Sequence, residues 1–416
     1  MTLSVLNIST ADNLGGSGRS AYKVHRGLRD LGVRSRMLVR DQVTSDRDVQ
    51  RVNPGWFRLA DKAAAIATDR LGLQYLFVPS SLNLLRHPWY RSADVVQLYN
   101  THGNYFSHTV LPRMCRDKMV VWRLSDMWPL TGHCAYAGSC DRWKHGCGKC
   151  PDLASYPPLR LDTTGLLWKR KQSIYSRSSF HVVAPSRWLL NLVDQSPLLR
   201  GRPRTLIRNG VDTAVFKPLG QAWCRQVLGV PERGKGILFL GHVVADNERK
   251  GSGFFLRVIE ALDRSGAEDF FVMVVGEGAG HFGEGLPCPV WRHDLVREDE
   301  LLALIYNAAD LLVHPATAEN LPNSVLEAMA CGVPAAAFDA GGVAEIVVSD
   351  QTGWLAPPGN VEHLTAGVRS LLSDDGRRAA LGRTARAIIE AEYTVARQAR
   401  SFYDLYESCL RHRSVA

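Results

Sequence analysis

Short apolar runs alternate along the whole chain with stretches whose apolar positions recur every three or four residues. That is the pattern of strands buried on both faces and joined by crossover helices. In the first half the runs predict strands at Ser4–Ile8, Arg36–Val39, Val95–Leu98, Met119–Leu124 and Phe180–Ala184. In the second half they predict strands at Thr205–Ile207, Ile237–Leu240, Phe270–Val275, Leu311–His314 and Ala335–Phe338. The expected architecture is α/β, with two doubly wound Rossmann-like units. A Pro/Gly/Arg stretch from Ser196 to Arg204, after a predicted helix over Trp188–Val193, marks the junction between a unit at residues 1–195 and one at 205–392. Residues 393–416 follow, with a last helix over Val395–Leu410 that carries Phe402, Leu405 and Tyr406 on one side.

A chain of 416 residues suits two cores. It has no apolar run long enough to span a bilayer, and Met1-Thr2-Leu3-Ser4 lacks the basic start of a secretion signal, so a cytoplasmic protein is expected. The net charge of +9 divides unequally: residues 1–190 hold 27 Lys plus Arg against 13 Asp and no Glu, whereas residues 191–416 hold 23 against 28. A basic first half suits an anionic lipid surface, with peripheral contact at the inner face of the membrane, or a lipid-diphosphate acceptor, because summed positive charge concentrates anions. Simple solubility is the plainer reading. Nucleic acid is not expected, since the basic residues are scattered without a dense run or interleaved aromatics.

The most informative segment runs from Ala318 to Pro334. Leu326, Met329 and Ala330 recur at helical spacing after Pro322, which is tolerated in a first turn, so a helix opens near Pro322 with Glu319 in the loop before it and Glu327 about two turns along. A helix mouth offers unpaired N–H groups and partial positive charge to a diphosphate, while a carboxylate in front of it suits sugar hydroxyls. The segment closely resembles the donor-binding motif of family 4 glycosyltransferases, retaining enzymes of the GT-B fold, including Asn320-Leu321-Pro322-Asn323 and Gly332-Val333-Pro334. The resemblance implies that Glu319 contacts the donor sugar and Glu327 the nucleotide ribose. It also implies that ligand lies between two facing domains, and that the last helix packs back on the first of them.

Further segments extend the resemblance. Gly241 to Gly251 follows a buried-looking strand, and a Lys there can neutralise a diphosphate as it leaves. Lys250 matches the family's lysine, but His242 stands where the family usually has Arg, which makes Arg249 a candidate substitute. Asn209-Gly210-Val211-Asp212 with Phe216 resembles the family's loop after the linker, and Val275-Gly276-Glu277-Gly278 its glycine turn beneath the nucleotide. Gly15 and Gly16, before a predicted helix over Arg19–Leu31, match a glycine pair that lines the family's donor and acceptor site. Read without the family, Gly16 to Ala21 satisfies G-x-G-x-x-A, but the loop from the strand is too long for the dinucleotide fingerprint and the only acid at the second strand's end is Asp41.

The stretch from Trp122 to Cys134 leaves a strand end, where α/β enzymes keep catalytic groups. Family members carry His-Asp at the positions of Ser125-Asp126, so Asp126 is the candidate to orient or deprotonate an acceptor hydroxyl, with His102, Asn104 and His133 as further acceptor-side residues. Cys134, Cys140, Cys147 and Cys150 are spaced C-x5-C-x6-C-x2-C among Gly138, Gly146 and Gly148. A cytosolic chain does not keep structural disulfides, so a four-thiolate structural zinc is the favoured reading, with an iron–sulfur cluster and a redox pair at Cys147 and Cys150 as alternatives. The Cys-rich loop, residues 133–151, is similar to that of a subgroup acting in exopolysaccharide, lipopolysaccharide and colanic-acid-type assembly. Asp46-Arg47-Asp48 mimics the Asp-x-Asp of metal-dependent transferases but falls in a predicted surface loop, and no cofactor is expected to be required for catalysis.

The combined expectation is a retaining transferase moving a sugar from a UDP or GDP sugar to a hydroxyl of a glycan or lipid-linked acceptor. Departure and attack would share one face of the sugar, with the leaving phosphate taking the acceptor proton. A nicotinamide oxidoreductase, a nucleotide-sugar epimerase and a zinc-loop nucleic-acid binder are the rival readings.

Overall fold

Val5, Leu6, Ile8, Val95, Val96, Leu98, Val121, Trp122, Val182 and Val183 are all essentially inaccessible, the burial required of strands covered on both faces. In the computed structural model, which describes all residues except 1, 246, 247, 265, 267, 268 and 416, they belong to one parallel sheet. Its strands are β1 (Ser4–Ala11), β2 (Arg34–Asp41), β3 (Val49–Arg51), β4 (Val95–Leu98), β5 (Met119–Arg123), β6 (His181–Ala184) and β7 (Arg204–Leu206), ordered β3-β2-β1-β4-β5-β6-β7. Connections run outward in both directions from β1 and β4, which pair in register Val5 to Val95 and Ile8 to Leu98.

The second sheet holds β8 (Lys235–Val243), β9 (Phe270–Glu277), β10 (Val290–His293), β11 (Leu311–His314), β12 (Ala335–Phe338) and β13 (Gly353–Ala356), ordered β10-β9-β8-β11-β12-β13. Alternation along β9 sends Val272 and Val274 into one core with Phe255 and Ile259, and Phe271, Met273 and Val275 into another with Leu326 and Met329. The switch in strand order lies between β8 and β11.

The chain forms two units, residues 1–208 with 396–416, and residues 209–395. The segment expected as the first strand of the second unit belongs to the first. Arg204 pairs with Val182 and Leu206 with Ala184, and Ile207 is buried beside Val121 and Val183, so its apolar side chains complete the first sheet. The change of unit falls after Arg208 rather than within Ser196–Arg204. The last helix, Val395–Val415, buries Phe402 and Tyr406 completely against Val5, Val24, Leu28 and Val95 of the first unit, with Leu405 at the margin. The first helix starts at Gly15, not Arg19. Strands β3, β10 and β13 escape the apolar pattern because each is an edge strand, covered by a neighbour on one side only. Among the described residues no helix is long and apolar enough to cross a membrane.

Candidate functional site

In the second unit the candidate residues gather at the carboxyl ends of β8 and β11, the switch point where open parallel sheets bind ligands. The chain after β8 ends in a short turn, Glu248–Lys250, and then Gly251 at φ +78°, where a Cβ would stand 1.9 Å from the Pro315 carbonyl oxygen. Only glycine permits that approach. It presses the turn against the loop leaving β11, where Thr317 N–H donates to the Arg249 carbonyl at 2.9 Å. Arg249 then donates to the Ala318 carbonyl at 3.1 Å and to Glu319 Oε1 at 3.2 Å, and Lys250 Nζ donates to the same Oε1. The cation beside Lys250 is thus Arg249, while His242 is exposed at the end of β8.

Glu319 is buried in the loop before the helix rather than projecting into solvent, at 7% exposure. Burial alone would raise its pKa, but Lys250, Arg249 and His314 outweigh that and hold the carboxyl at about 2. It is therefore an anion shared by two cations. His314 ends β11, fully enclosed; burial, with Lys250 and Arg249 nearby, pulls it down to about 4, so it is neutral at physiological pH. Its Nε2 has no hydrogen-bond partner among the described residues. Reading the sequence for sites misses His314, and its position as the last residue of a predicted strand is the signal that could have found it.

The helix Asn323–Ala330 opens at Pro322 with no side-chain cap, and Asn320 and Leu321 are buried in the loop before it. Asn209 Nδ2 donates to the Leu321 carbonyl at 3.1 Å and to Asn323 Oδ1 at 3.0 Å, tying the loop that opens this unit to the helix mouth. Glu327 is buried two turns from Glu319 and accepts from the Tyr306 hydroxyl at 3.2 Å. Gly276 at φ +146° lies so close to β8 that a Cβ would meet the Gly241 carbonyl oxygen at 2.2 Å, and Glu277 beyond it is exposed.

In the first unit the strand ends also collect candidates. Gly15 and Gly16 begin the first helix, and Ser17 Oγ lies 2.7 Å from Ser125 Oγ, so the serine standing where the resembled family has His touches that helix. Asp126 accepts from Trp128 N–H at 2.9 Å through Oδ1 and pairs with His102 Nε2 at 2.9 Å through Oδ2. Both are buried, and His102 is ringed by Tyr75, Trp128 and Tyr156 at centroid distances of 6.5, 5.7 and 5.5 Å. His102 Nδ1 has no partner among the described residues. Asn104, two residues on, sits at φ +59°. His133, at the start of the cysteine loop, engages the Pro157 carbonyl through Nδ1 at 3.0 Å and faces Cys150 Sγ through Nε2 at 3.4 Å. Asp41 is taken up by Arg40, and Asp46 by Arg29 and Tyr22.

Cys134, Cys140, Cys147 and Cys150 all line one hollow with His133, Trp143 and Thr164. None is paired in a disulfide, and among the described residues no three His, Cys, Asp or Glu side chains stand as a ready-made ligand set.

Residues 234–374 match the family model of glycosyl transferases group 1. The chain is 26% identical over 298 residues, 68% of its own length and 69% of the other's, to the Escherichia coli K12 protein named for colanic acid biosynthesis glycosyl transfer, WcaC. It is 33% identical over 205 residues to a D-inositol 3-phosphate glycosyltransferase of Salinispora arenicola, spanning 44% of that protein. Among solved structures, HepE of Anabaena in complex with UDP and glucose superimposes with a TM-score of 0.67 at 16% identity, over 97% of this chain and 100% of that one. The fold is that of the GT-B glycosyltransferases, two parallel-sheet Rossmann-like units.

Proposed function

On the premise that residues 234–374 form a group 1 glycosyltransferase domain, we propose that the chain is a cytoplasmic, retaining family 4 enzyme that transfers a sugar from a nucleotide-diphosphate donor to a hydroxyl of a glycan or lipid-linked acceptor in cell-surface polysaccharide synthesis. The observation that carries this reading is the buried Glu319, held by Lys250 and Arg249 in front of a helix mouth at the switch point of the sheet. Lys250 and Arg249 take the diphosphate, with the helix mouth at Asn323 and Ser324 beneath it. Glu319 accepts from the sugar hydroxyls. Tyr306 fixes Glu327, which serves the ribose.

The bond from the anomeric carbon to the phosphate oxygen breaks with its electron pair leaving on the diphosphate, where the two cations stabilise developing charge. The acceptor oxygen bonds the same face of the carbon and gives its proton to the departing phosphate. Asp126 and His102 orient that hydroxyl. UDP is the favoured nucleotide, supported by the UDP complex of HepE at the level of fold.

Peripheral membrane contact accords with the helix Trp56–Arg70. It exposes Trp56, Leu59 and Ile66 and carries Arg58, Lys62 and Arg70, while Leu71, Phe77 and Leu82 are exposed just after it. An apolar face beside basic side chains suits the headgroup region of an anionic bilayer.

The test is thermal unfolding with UDP, GDP and NAD, followed by turnover with sugars of the stabilising nucleotide, since a ligand that binds only the native state raises its stability. UDP or GDP is expected to raise the unfolding temperature. Stabilisation by NAD alone refutes the proposal.

A further inference from the structure

The loop from Thr131 to Pro151 is built inward around its four cysteines. Gly146, Cys147, Gly148 and Lys149 all have positive φ, a run of left-handed residues that turns the chain back on itself between Cys140 and Cys150. Arg142 clamps the turn by donating to the carbonyls of Gly148 and Lys149, at 3.2 and 2.6 Å. Two further contacts reach the sulfurs themselves: Gly132 N–H donates to Cys147 Sγ at 3.2 Å, and His133 Nε2 lies 3.4 Å from Cys150 Sγ. The Gly132 N–H acts toward thiolate at Cys147, while burial acts the other way and raises the Cys147 and Cys150 thiols.

An independent observation comes from the helix Thr164–Ser176, which carries the buried Lys171. Its Nζ donates to the carbonyls of Trp128 at 2.6 Å and Thr131 at 3.0 Å and stands 3.4 Å from the Trp128 ring centroid. No carboxylate is within ion-pair distance of it among the described residues, which is costly for a buried ammonium. Burial pulls its pKa down to about 7, and the sulfurs of Cys147 and Cys134, ahead of Asp126, act in the opposite direction. The Thr131 hydroxyl links the two places by donating to the Cys134 carbonyl at 2.7 Å.

We propose that Cys134, Cys140, Cys147 and Cys150 bind one zinc ion as four thiolates, and that Lys171 is the buried counter-charge of the site. Binding releases the four thiol protons and leaves a complex of charge −2, which Lys171 partly offsets. Four protein ligands leave no open coordination position, so the ion is structural. The four thiols line one hollow, and since among the described residues no three of them stand as a ready-made ligand set, zinc binding would require their side chains to move together. Iron is disfavoured by the absence of any electron-transfer step in sugar transfer. The site would brace Trp128, and through it the surroundings of His102.

The full chain, purified without added metal, is expected to carry one zinc per molecule by elemental mass spectrometry. Cys140→Ser and Cys147→Ser lose it, while Cys288→Ser, in the other unit, keeps it. Cobalt in place of zinc gives the intense visible bands of a tetrahedral thiolate site. Lys171→Met weakens retention against a chelator by roughly 10–100-fold, the scale of an outer-shell partner. If the cysteine variants fail to fold, cobalt substitution and Lys171→Met decide. The proposal is overturned by stoichiometric iron with a visible chromophore, by a chain two mass units light from a Cys147–Cys150 disulfide, or by absent zinc with all four thiols reactive in the native protein. Unchanged retention in Lys171→Met overturns the counter-charge.

Discussion

Glu319→Gln preserves shape and removes charge, so it isolates what the shared carboxylate contributes. The carboxyl sits at about 2 in the folded chain against an ordinary 4.5. At 1.36 kcal/mol per pKa unit, that gap corresponds to about 3 kcal/mol of stability at neutral pH. Arg249 is 39% exposed, so solvent screening trims its share and the expected loss is about 2–3 kcal/mol. Because the folded-state pKa is depressed, this stability is complete above the unfolded value near 4.5 and drains away as pH falls toward 2. Urea unfolding of wild type and Glu319→Gln should therefore differ fully at about pH 7, with roughly 1 kcal/mol of the difference gone by about pH 3.5. Nucleotide binding provides a second measurement. The variant removes the carboxylate charge that competes for Lys250 and Arg249, so UDP affinity is maintained or tightened while turnover falls by about two orders of magnitude, the scale of one lost transition-state contact. Equal stability of the two proteins, or a difference that does not change with pH, would falsify the ion-pair argument; undiminished turnover would remove Glu319 from the chemistry.

Gly251→Ala forces a Cβ into the Pro315 carbonyl at a positive φ, and should cost more than about 1–3 kcal/mol in thermal unfolding together with UDP stabilisation. Asp126→Asn should lower turnover by roughly 10²–10⁴-fold without weakening UDP binding, and a parallel loss of UDP binding would place Asp126 on the donor instead. Trp56→Ser combined with Leu59→Ser should abolish sedimentation with anionic vesicles while changing stability by at most about 1 kcal/mol, and persistent sedimentation would move membrane contact off this helix.

Central strands were legible because burial on both faces demands continuous apolar runs, as in Phe270–Val275. Edge strands such as Val290–His293, with half-buried side chains throughout, carry no such demand. Thr205–Ile207 was recognisable as a strand, but nothing local says which sheet a three-residue strand joins; pairing with His181–Ala184 does. At the candidate site, helix spacing and the proline at its mouth locate Glu319 and Glu327. Which of His242 and Arg249 stands beside Lys250 and Glu319 is a matter of three-dimensional reach, set by how closely Gly251 approaches Pro315. The union of His102 with Asp126 and three aromatic rings from distant segments, and of Lys171 with the cysteine loop, likewise arises only when strands and helices are stacked. Such pairings leave no spacing signature.

The carboxylate that Lys250 and Arg249 share also bears on how a reaction cycle ends. A bare pair of cations would hold a spent nucleoside diphosphate tightly and make its departure slow. If Lys250 and Arg249 take the diphosphate as proposed, the internal anion that already pairs with both competes with the outgoing nucleotide for them, giving up part of the grip on substrate in exchange for faster clearance.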